Sequence, residues 1–270
     1  MIKQATIPLA GQGTRLLPLT SVLPKELLPI NGKPSIEYIL DECVKSGIKE
    51  IIFIISKKNI IKKYFYNDNL YKNLIKRKKK DKRLKFEYSK IKKYKKMIKF
   101  VYQNSPRGTG DAVLKCKNLI KSKYFLMLMP DDLIINSNCS SSLIKLHNKY
   151  KSSIIASKKV SKTNVSRWGI FDIKKINKKD FIIKDVIEKP GIKAAPSNYA
   201  VIGRYVLPKT IFRVLKKQKP GRNGEIHITD AIRSLLNKNN KFIGHIFAGK
   251  YLDCGTMKGY INSTIEISKL

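Results

Sequence analysis

The sequence predicts an α/β protein with a mostly parallel central sheet flanked by helices. Apolar, β-branched runs recur along the first half of the chain, helical stretches separate them, and the first run leads directly into a glycine turn. Strands and helices that alternate in this way form a parallel sheet under right-handed crossover connections. A chain of 270 residues with 42% hydrophobic residues is long and apolar enough for one domain with a full core.

The first half supplies the parallel part of this sheet. Its strands are continuous apolar runs, as in strands buried on both faces, and its first helix has one apolar face and ends at Gly47. We predict strands over Ala5–Ala10, Glu50–Ser56, Met97–Tyr102 and Tyr124–Met129, and helices over Ser35–Ser46 and Asp111–Ile120. Residues 60–96 are the most lysine-rich part of the chain and, with their mixed apolar residues, predict a solvated helical insertion.

The second half is less regular, which favours a mixed extension of the sheet that closes over a second substrate. We predict strands over Ser153–Val160, Ile170–Ile173, Phe181–Glu188, Tyr199–Val206 and Phe242–Phe247, and helices over Glu225–Asn237 and Gly259–Ser268. We find no linker, repeat or boundary, so residues 1–270 are predicted to form a single domain.

The formal net charge is +38, from 57 basic and 19 acidic residues. Such a charge suggests a polyanionic partner, and a basic nucleic-acid-binding protein is the alternative from another functional class. That class calls for clustered arginines and regularly placed stacking aromatics, whereas here lysine dominates and is spread over the whole chain. We attribute the excess to codon drift in an AT-rich genome and expect no specific nucleic-acid partner.

The apolar runs, the N-terminus, and the cysteines and histidines of the sequence bear on its compartment and on metal chemistry. No apolar run approaches the length of a membrane span, and the N-terminus does not resemble a signal peptide, so we expect a cytoplasmic protein without a membrane partner. The four cysteines form no Cys-x-x-Cys motif and the three histidines are scattered. This pattern favours reduced thiols and argues against a zinc site or a Ser-His-Asp triad.

The most informative motif is the loop that follows the first strand. Gly11 and Gly13 let backbone N–H groups approach an anion, because neither residue carries a Cβ. Arg15 and Lys25 add positive charge for phosphate oxygens, and Glu26 offers an acceptor for a ring N–H or a sugar hydroxyl. The loop therefore predicts a nucleoside triphosphate site.

Two better-known phosphate loops do not fit this segment. The dinucleotide fingerprint requires a third glycine where the chain has Leu16, and the P-loop requires Gly-Lys-Ser/Thr where the chain has Gly13-Thr14-Arg15. Gly-x-Gly alone also fits a tight strand-to-helix turn, but the Thr-Arg and Pro-Lys-Glu that follow favour a phosphate site of another class.

Gly-x-Gly-Thr-Arg followed by Pro-Lys-Glu resembles the signature of the sugar-phosphate nucleotidyltransferases, and most of all the bacterial enzymes that transfer a uridylyl group to glucose 1-phosphate. The resemblance extends along the whole chain through short motifs whose order and spacing are specific together. These are Gly108-Thr109-Gly110, Leu128-Met129-Pro130-Asp131, Trp168-Gly169-Ile170, Ile187-Glu188-Lys189-Pro190, Pro196-Ser197-Asn198, Ile202-Gly203-Arg204-Tyr205-Val206, Gly224-Glu225-Ile226, Thr229-Asp230-Ala231-Ile232 and Asp253-Cys254-Gly255.

The resemblance implies a Rossmann-like nucleotidyltransferase fold with a sugar-binding extension, and it implies a role for each motif residue. Arg15 and Lys25 would be catalytic, neutralising the triphosphate and the leaving pyrophosphate. The residues that would bind the nucleotide are Ala10, Gly11, Gly13, Thr14, Glu26, Gln103 and Gly108, with Gln103 reading the pyrimidine edge.

The same resemblance implies a metal and a sugar subsite. Asp131 would bind Mg²⁺, and Asp253 matches the position of a second carboxylate in related enzymes, although a turn or helix cap before Gly255 explains Asp253 equally well. Glu188 would accept hydrogen bonds from sugar hydroxyls, Lys189 would bind the phosphate of the sugar, and Gly169 would let backbone approach the hexose.

Several positions carry further expectations. Pro190 predicts an extended backbone at Lys189. Ser21 stands where relatives commonly have lysine. Asp111 stands where they often have histidine; it fits an N-cap, yet adds negative charge near a nucleotide.

The implied reaction is transfer of the uridylyl group of UTP to glucose 1-phosphate, which gives UDP-glucose and pyrophosphate. An ionised phosphate oxygen attacks the α-phosphorus in line, so positioning and charge neutralisation supply the catalysis. The resemblance also implies a homo-oligomer. The nearest alternative is a glucose-1-phosphate thymidylyltransferase, and a decayed regulatory homologue is disfavoured because every candidate catalytic residue is present.

Overall fold

A nine-stranded sheet runs through the molecule, and the apolar runs of the first half form its parallel part. The computed structural model describes residues 2–57 and 60–270. The strands are β1 (Gln4–Pro8), β2 (Pro29–Ile30), β3 (Lys33–Pro34), β4 (Glu50–Ile55), β5 (Ile98–Tyr102), β6 (Tyr124–Leu128), β7 (Asp132–Ile135), β8 (Ser153–Lys159), β9 (Gly169–Lys175), β10 (Asp180–Glu188), β11 (Tyr199–Pro208), β12 (Phe242–Ile246) and β13 (Lys250–Asp253). The order across the sheet is β5-β4-β1-β6-β11-β8-β12-β10-β9.

Helices cover both faces of this sheet, as the α/β prediction requires. They are α1 (Ser35–Lys45), α2 (Ile61–Tyr66), α3 (Asn69–Arg77), α4 (Lys82–Met97), α5 (Thr109–Leu114), α6 (Cys139–Tyr150), α7 (Ile211–Lys217), α8 (Ile228–Leu236) and α9 (Met257–Ser268). The apolar faces of α1 and α6 pack into one core layer, and those of α5, α7 and α8 pack into a second. Within the described residues, no helix is both long and apolar enough to span a membrane.

Strands β5, β4, β1 and β6 are parallel neighbours, so their carboxyl ends lie along one edge of the sheet. We call this edge the carboxyl edge. The strand predicted over Glu50–Ser56 is β4, and five of its six residues are buried, as a central strand requires. The fold class predicted from the sequence is confirmed.

The second half forms the predicted mixed extension. Strand β11 runs antiparallel to β6 and β8, β12 is parallel to β8, and β10 and β9 form an antiparallel pair. A further pairing of Ala200 on β11 with Ile170 on β9 closes these five strands into a ring. Glu188 lies opposite Gly169 at the base of the β9–β10 hairpin. Ala200 precedes the part of β11 that pairs with the end of β6, so this base lies at the carboxyl edge.

Some boundaries differ from the sequence prediction. The helix predicted over Asp111–Ile120 ends at Leu114, because the following N–H groups bond three residues back in tight turns. The helix predicted over Glu225–Asn237 begins at Ile228. The pair of β7 with β13 lies outside the predicted elements. The lysine-rich stretch of residues 60–96 contains α2, α3 and most of α4.

Candidate active site

A cavity of about 600 Å³ opens at the carboxyl edge, between the ends of the parallel strands and the base of the β9–β10 hairpin. It gathers segments that are far apart in the sequence. The predicted site residues that line it are Ala10, Gly11, Gly13, Thr14, Arg15, Lys25, Gln103, Gly108, Asp131, Gly169, Glu188, Lys189 and Asp253. A cavity of this size accommodates a ligand as large as a nucleotide.

The glycine loop leaves β1 at Pro8 and turns at Gly13, where the chain adopts φ +67°. A Cβ at Gly13 would lie 2.9 Å from Cγ2 of Thr20, whose hydroxyl donates to the Gly13 carbonyl oxygen at 2.8 Å. Glycine is therefore required there by both backbone angle and space. A Cβ at Gly11 would meet no atom within 4 Å, which leaves open space on the cavity side of the loop.

Lys25, Arg15 and Asp131 form a charged cluster beneath this loop. Lys25 Nζ lies 2.8 Å and Arg15 Nη2 3.7 Å from Asp131 Oδ2. Burial by itself would lower the pKa of Lys25, but the carboxylates of Asp131 and Glu26 outweigh it and raise that pKa. Burial would raise the pKa of Asp131, but Lys25 lowers it. These directions favour an ammonium beside a carboxylate, ready for a phosphate and a cation.

Asp131 and Asp253 face the same small space. A Cβ at Gly255 would lie 2.8 Å from Asp131 Oδ2 and 3.2 Å from Asp253 Oδ1, so glycine keeps that space clear. The backbone joins the two segments, since Cys254 N–H donates to the Asp131 carbonyl oxygen at 2.8 Å. Asp253 also accepts a hydrogen bond from Gly255 N–H at 2.9 Å, so the turn role weighed from the sequence is present.

This donor set fits a divalent cation such as Mg²⁺. One or two carboxylates are the usual protein contribution to a magnesium site, with phosphate and water oxygens as the other ligands. The residues that the structure describes contain no cluster of three or more His, Cys, Asp or Glu side chains suited to a metal. A cation held by Asp131 and Asp253 would therefore take its remaining ligands from substrate and solvent.

Glu188 and Lys189 occupy the base of the hairpin. Thr229 Oγ1 donates to Glu188 Oε2 at 2.8 Å, and Lys189 Nζ lies 3.8 Å from Glu188 Oε1. A Cβ at Gly169 would lie 3.0 Å from a Val201 methyl and 3.4 Å from Glu188 Oε2, so the strands approach closely here. A carboxylate acceptor and an ammonium thus stand side by side on one wall of the cavity.

The predicted extended backbone at Lys189 is wrong. Lys189 adopts φ +46°, while its N–H donates to the Trp168 carbonyl oxygen at 3.0 Å. A proline disfavours the right-handed helical region for the residue before it. Lys189 adopts the left-handed region instead of an extended one, and this conformation lets its N–H form the bond to Trp168 as the chain leaves the hairpin. A non-glycine residue held in that region costs on the order of 1–3 kcal/mol, and such residues concentrate at functional sites.

Glu26 is the one predicted site residue that the structure places away from the cavity surface. It is 1% exposed, and neither of its carboxylate oxygens has a hydrogen-bond partner among the described residues. Burial raises its pKa to about 7. The short turn over Lys25–Leu27 presents Lys25 to the cavity and directs Glu26 inward, so the Glu26 side chain does not line the space that a nucleoside would occupy.

Gln103 follows β5 and projects into the cavity, with Gly108 below it. Gly108 has φ +100°, and a Cβ there would lie 2.6 Å from the Ile226 carbonyl oxygen, so only glycine fits. Asp111 does not cap α5, since the N-cap is Gly108; its carboxylate instead accepts from Gln103 Nε2 at 2.7 Å. Ser21, the other departure, donates to the Pro18 carbonyl oxygen.

Arg204 is a supporting residue that the sequence analysis did not assign. It is fully buried and pairs with Glu42 at 2.9 Å. Its guanidinium also donates to the carbonyl oxygens of Met129 at 3.2 Å and Asp132 at 2.7 Å, on either side of Asp131. The signal for this role was a charged residue inside the apolar run Ile202–Val206.

Asp132 completes this support, and its carboxylate is held within the protein. Gly203 N–H donates to its Oδ2 at 2.8 Å and Tyr251 O–H to its Oδ1 at 2.7 Å. Burial, together with the neighbouring Asp131, raises its pKa to about 6. With both Asp132 oxygens bonded within the protein, Asp131 is the one of these two neighbouring aspartates that is available as a metal ligand.

Arg167 is a cavity-lining residue that was also missed. Its Nη2 lies 2.6 Å from Asp253 Oδ2, and its guanidinium lies 4.7 Å from the Trp168 ring centroid. It directly precedes the recognised Trp168-Gly169-Ile170 motif, and that adjacency was the available signal.

Comparison with known proteins agrees with this geometry. A family model described as nucleotidyl transferase matches residues 5–269. A UTP–glucose-1-phosphate uridylyltransferase of Bacillus subtilis is 38% identical over 270 residues, which cover 99% of this chain and 91% of that protein.

Two solved structures share the fold along their length. The structure of UDP-glucose pyrophosphorylase complexed with UDP-glucose superimposes with a TM-score of 0.86 at 35% identity, covering 100% of this chain and 99% of the other. UTP-bound UGPase from Acinetobacter baumannii gives 0.88 at 32% identity, covering 99% and 93%. On its fold, its cavity and these similarities, the chain belongs to the nucleotidyl transferase family.

Proposed function

We propose that this protein is a UTP–glucose-1-phosphate uridylyltransferase, which forms UDP-glucose and pyrophosphate from UTP and glucose 1-phosphate. The observation that carries the proposal is the joint placement of three chemically distinct groups in one cavity. The glycine loop with Lys25 and Arg15 suits a triphosphate, Asp131 and Asp253 suit a divalent cation, and the hairpin base suits a sugar phosphate. Relatives whose names state this activity cover nearly the whole chain.

The chemistry requires positioning more than it requires a reactive side chain. The phosphate of glucose 1-phosphate is already ionised near neutral pH, so its oxygen attacks the α-phosphorus of UTP without a general base. The new bond forms as the bond to the β-phosphate oxygen breaks, and pyrophosphate carries away the electron pair. Holding both substrates in line and stabilising the developing charge therefore supply the rate enhancement.

Each wall of the cavity has a part in this mechanism. Arg15 and Lys25 stabilise the negative charge that develops on the α-phosphate and the leaving pyrophosphate. Lys189 holds the phosphate of the sugar, and Glu188 accepts hydrogen bonds from sugar hydroxyls. The nucleotide lies along Ala10–Thr14, with its base against Gln103 and Gly108.

We propose Mg²⁺ as the cation held by Asp131 and Asp253. When bound, it would neutralise phosphate charge and orient the triphosphate. The pairing of these carboxylates with Lys25 and Arg167 keeps both aspartates oriented toward the site.

We also propose that residues 1–270 act as one domain, that the enzyme forms a homo-oligomer and that it works in the cytoplasm. The four cysteines are free and buried, which suits a reducing compartment.

One experiment tests the proposed function. The purified protein is incubated with Mg²⁺, glucose 1-phosphate and UTP, dTTP, ATP or GTP in turn, and pyrophosphate release is measured. We expect UTP to give the highest kcat/KM. A higher value with dTTP would replace the proposal with a thymidylyltransferase, and no release with any nucleotide would refute a transferase.

A further inference from the structure

Asp111 gives the base-reading side of the cavity a defined polarity. Gln103 Nε2 donates to Asp111 Oδ2 at 2.7 Å and to the Gly108 carbonyl oxygen at 3.3 Å. Gln103 Oε1 takes no hydrogen bond from any residue that the structure describes, and the side chain lines the cavity. The amide therefore uses its nitrogen inside the protein and keeps its oxygen for the cavity.

The chemistry of the neighbour determines which way the amide points. An amide oxygen and nitrogen look alike in outline, so orientation must come from the hydrogen-bond partners. An ionised carboxylate only accepts hydrogen bonds, so it must face the NH₂ group. Asp111 is 2% exposed and has two cations close by, Arg107 Nη2 at 3.1 Å and Lys115 Nζ at 3.4 Å. Arg107 and Lys115 offset the negative charge that Asp111 adds near a nucleotide.

We propose that Asp111 is a specificity-determining positioning residue, which orients Gln103 so that Oε1 accepts a hydrogen bond from the base. This inference rests on the proposed function. A base with N–H at ring position 3, uracil or thymine, satisfies Oε1. Cytosine presents a lone pair at that position, so two acceptors would face each other.

The alternative orientation is closed to this chain by the same carboxylate. Turning the Gln103 amide to serve cytosine would place Oε1 against Asp111 Oδ2 and remove the 2.7 Å bond. A buried site built to hydrogen-bond one substrate rejects an analogue that leaves its polar groups unpaired. Asp111 thus disfavours cytosine through the orientation of Gln103, without contacting the base itself.

The test compares UTP with CTP in four proteins. Equilibrium binding of each nucleotide and pyrophosphate release with glucose 1-phosphate are measured for the wild type, Asp111→Asn, Asp111→Glu and Lys115→Ala. An asparagine offers either a donor or an acceptor, so both orientations of Gln103 become satisfied. We expect the UTP:CTP preference to fall at least about tenfold in Asp111→Asn, equal to one hydrogen bond of about 1.4 kcal/mol.

The controls separate orientation from charge and from folding. Asp111→Glu keeps an acceptor-only partner and should retain the preference. Lys115→Ala changes the local charge by one unit without touching Gln103, and should change both nucleotides in parallel. Equal wild-type affinity for UTP and CTP would overturn the proposal without any variant, and so would an unchanged preference in folded Asp111→Asn. Failure of the proposed function would appear differently, as bound UTP without pyrophosphate release.

Discussion

Replacing Arg204 by methionine should be among the most destabilising single changes in this protein. The guanidinium donates to both Glu42 oxygens, to the Gly203 carbonyl oxygen at 2.9 Å and to the carbonyls on either side of Asp131. In Arg204→Met, Glu42 would keep, among the residues that the structure describes, only the two hydrogen bonds from Ser140, at 3.0 Å and 2.6 Å. A carboxylate would then be buried without a counter-charge.

The expected cost follows from that uncompensated charge. Removing one partner of a buried ion pair typically costs about 3–5 kcal/mol. Since domains are stable by about 5–15 kcal/mol, the variant should lose a large fraction of its free energy of unfolding. Urea unfolding followed by circular dichroism measures the change, and a cost below about 1 kcal/mol would refute the reasoning.

Two controls test the cause of this cost. The double variant Glu42→Leu, Arg204→Met removes both charges and should recover much of the loss, because no isolated ion remains. A double variant no more stable than the single one would indicate lost packing instead.

The pH dependence has a definite sign. Burial would raise the pKa of Glu42, but Arg204 lowers it in the native protein, so its contribution is present above the pKa of the unfolded chain and is lost as pH falls. Without Arg204, burial favours the protonated form. The difference in unfolding free energy between wild type and Arg204→Met should therefore shrink as pH falls from 7 to 4. A constant difference would contradict this assignment.

Three further predictions concern two cavity residues and the buried Glu26. Lys189→Ala should raise the KM for glucose 1-phosphate by about tenfold to a hundredfold, as expected for a lost charged hydrogen bond, with a smaller change in the KM for UTP; steady-state kinetics showing an unchanged sugar-phosphate KM would remove the assignment. Asp131→Asn should lower metal-dependent kcat by at least about a hundredfold, and retained turnover at saturating Mg²⁺ would exclude Asp131 as a metal ligand. Burial raises the pKa of Glu26 to about 7 from an ordinary 4.5. The wild type should therefore lose up to about 3 kcal/mol of stability as pH rises from about 4.5 to about 7, because ionisation is less favourable in the native protein than in the unfolded chain. Glu26→Gln should lack that loss, and parallel pH profiles from urea unfolding would contradict it.

The sequence predicts the parallel half of this fold well, because its strands are continuous apolar runs. The strand expected over Glu50–Ser56 is found over Glu50–Ile55. Strands β7 and β13 could not be found in this way, since each is four residues long and its partner is more than a hundred residues away. Pairing at that distance depends on the tertiary fold, whereas periodicity is a local signal.

The candidate site shows the same division. The segment around Gly11 and Gly13 was predicted because glycine spacing and neighbouring cations are local patterns. Whether a side chain points into a cavity or into the core is decided by a few backbone angles, so the sequence motif could not show that Lys25 lines the cavity while its neighbour Glu26 is buried. The part of Arg204 in holding the Asp131 segment depends on contacts with residues about 70 positions away.

The β11–β9 pairing that closes the ring also determines which edge of the main sheet stays open to pairing with another chain. It leaves β5 as the open edge of the main sheet among the described strands, and an open edge is a template for aggregation. Lys99 on that strand is half exposed and ion-paired to Glu50, while the Phe100 ring lies 5.9 Å from Tyr66 of α2. A charged side chain on an edge strand disfavours pairing with another chain, so Lys99 makes β5 a poorer template for edge-to-edge association.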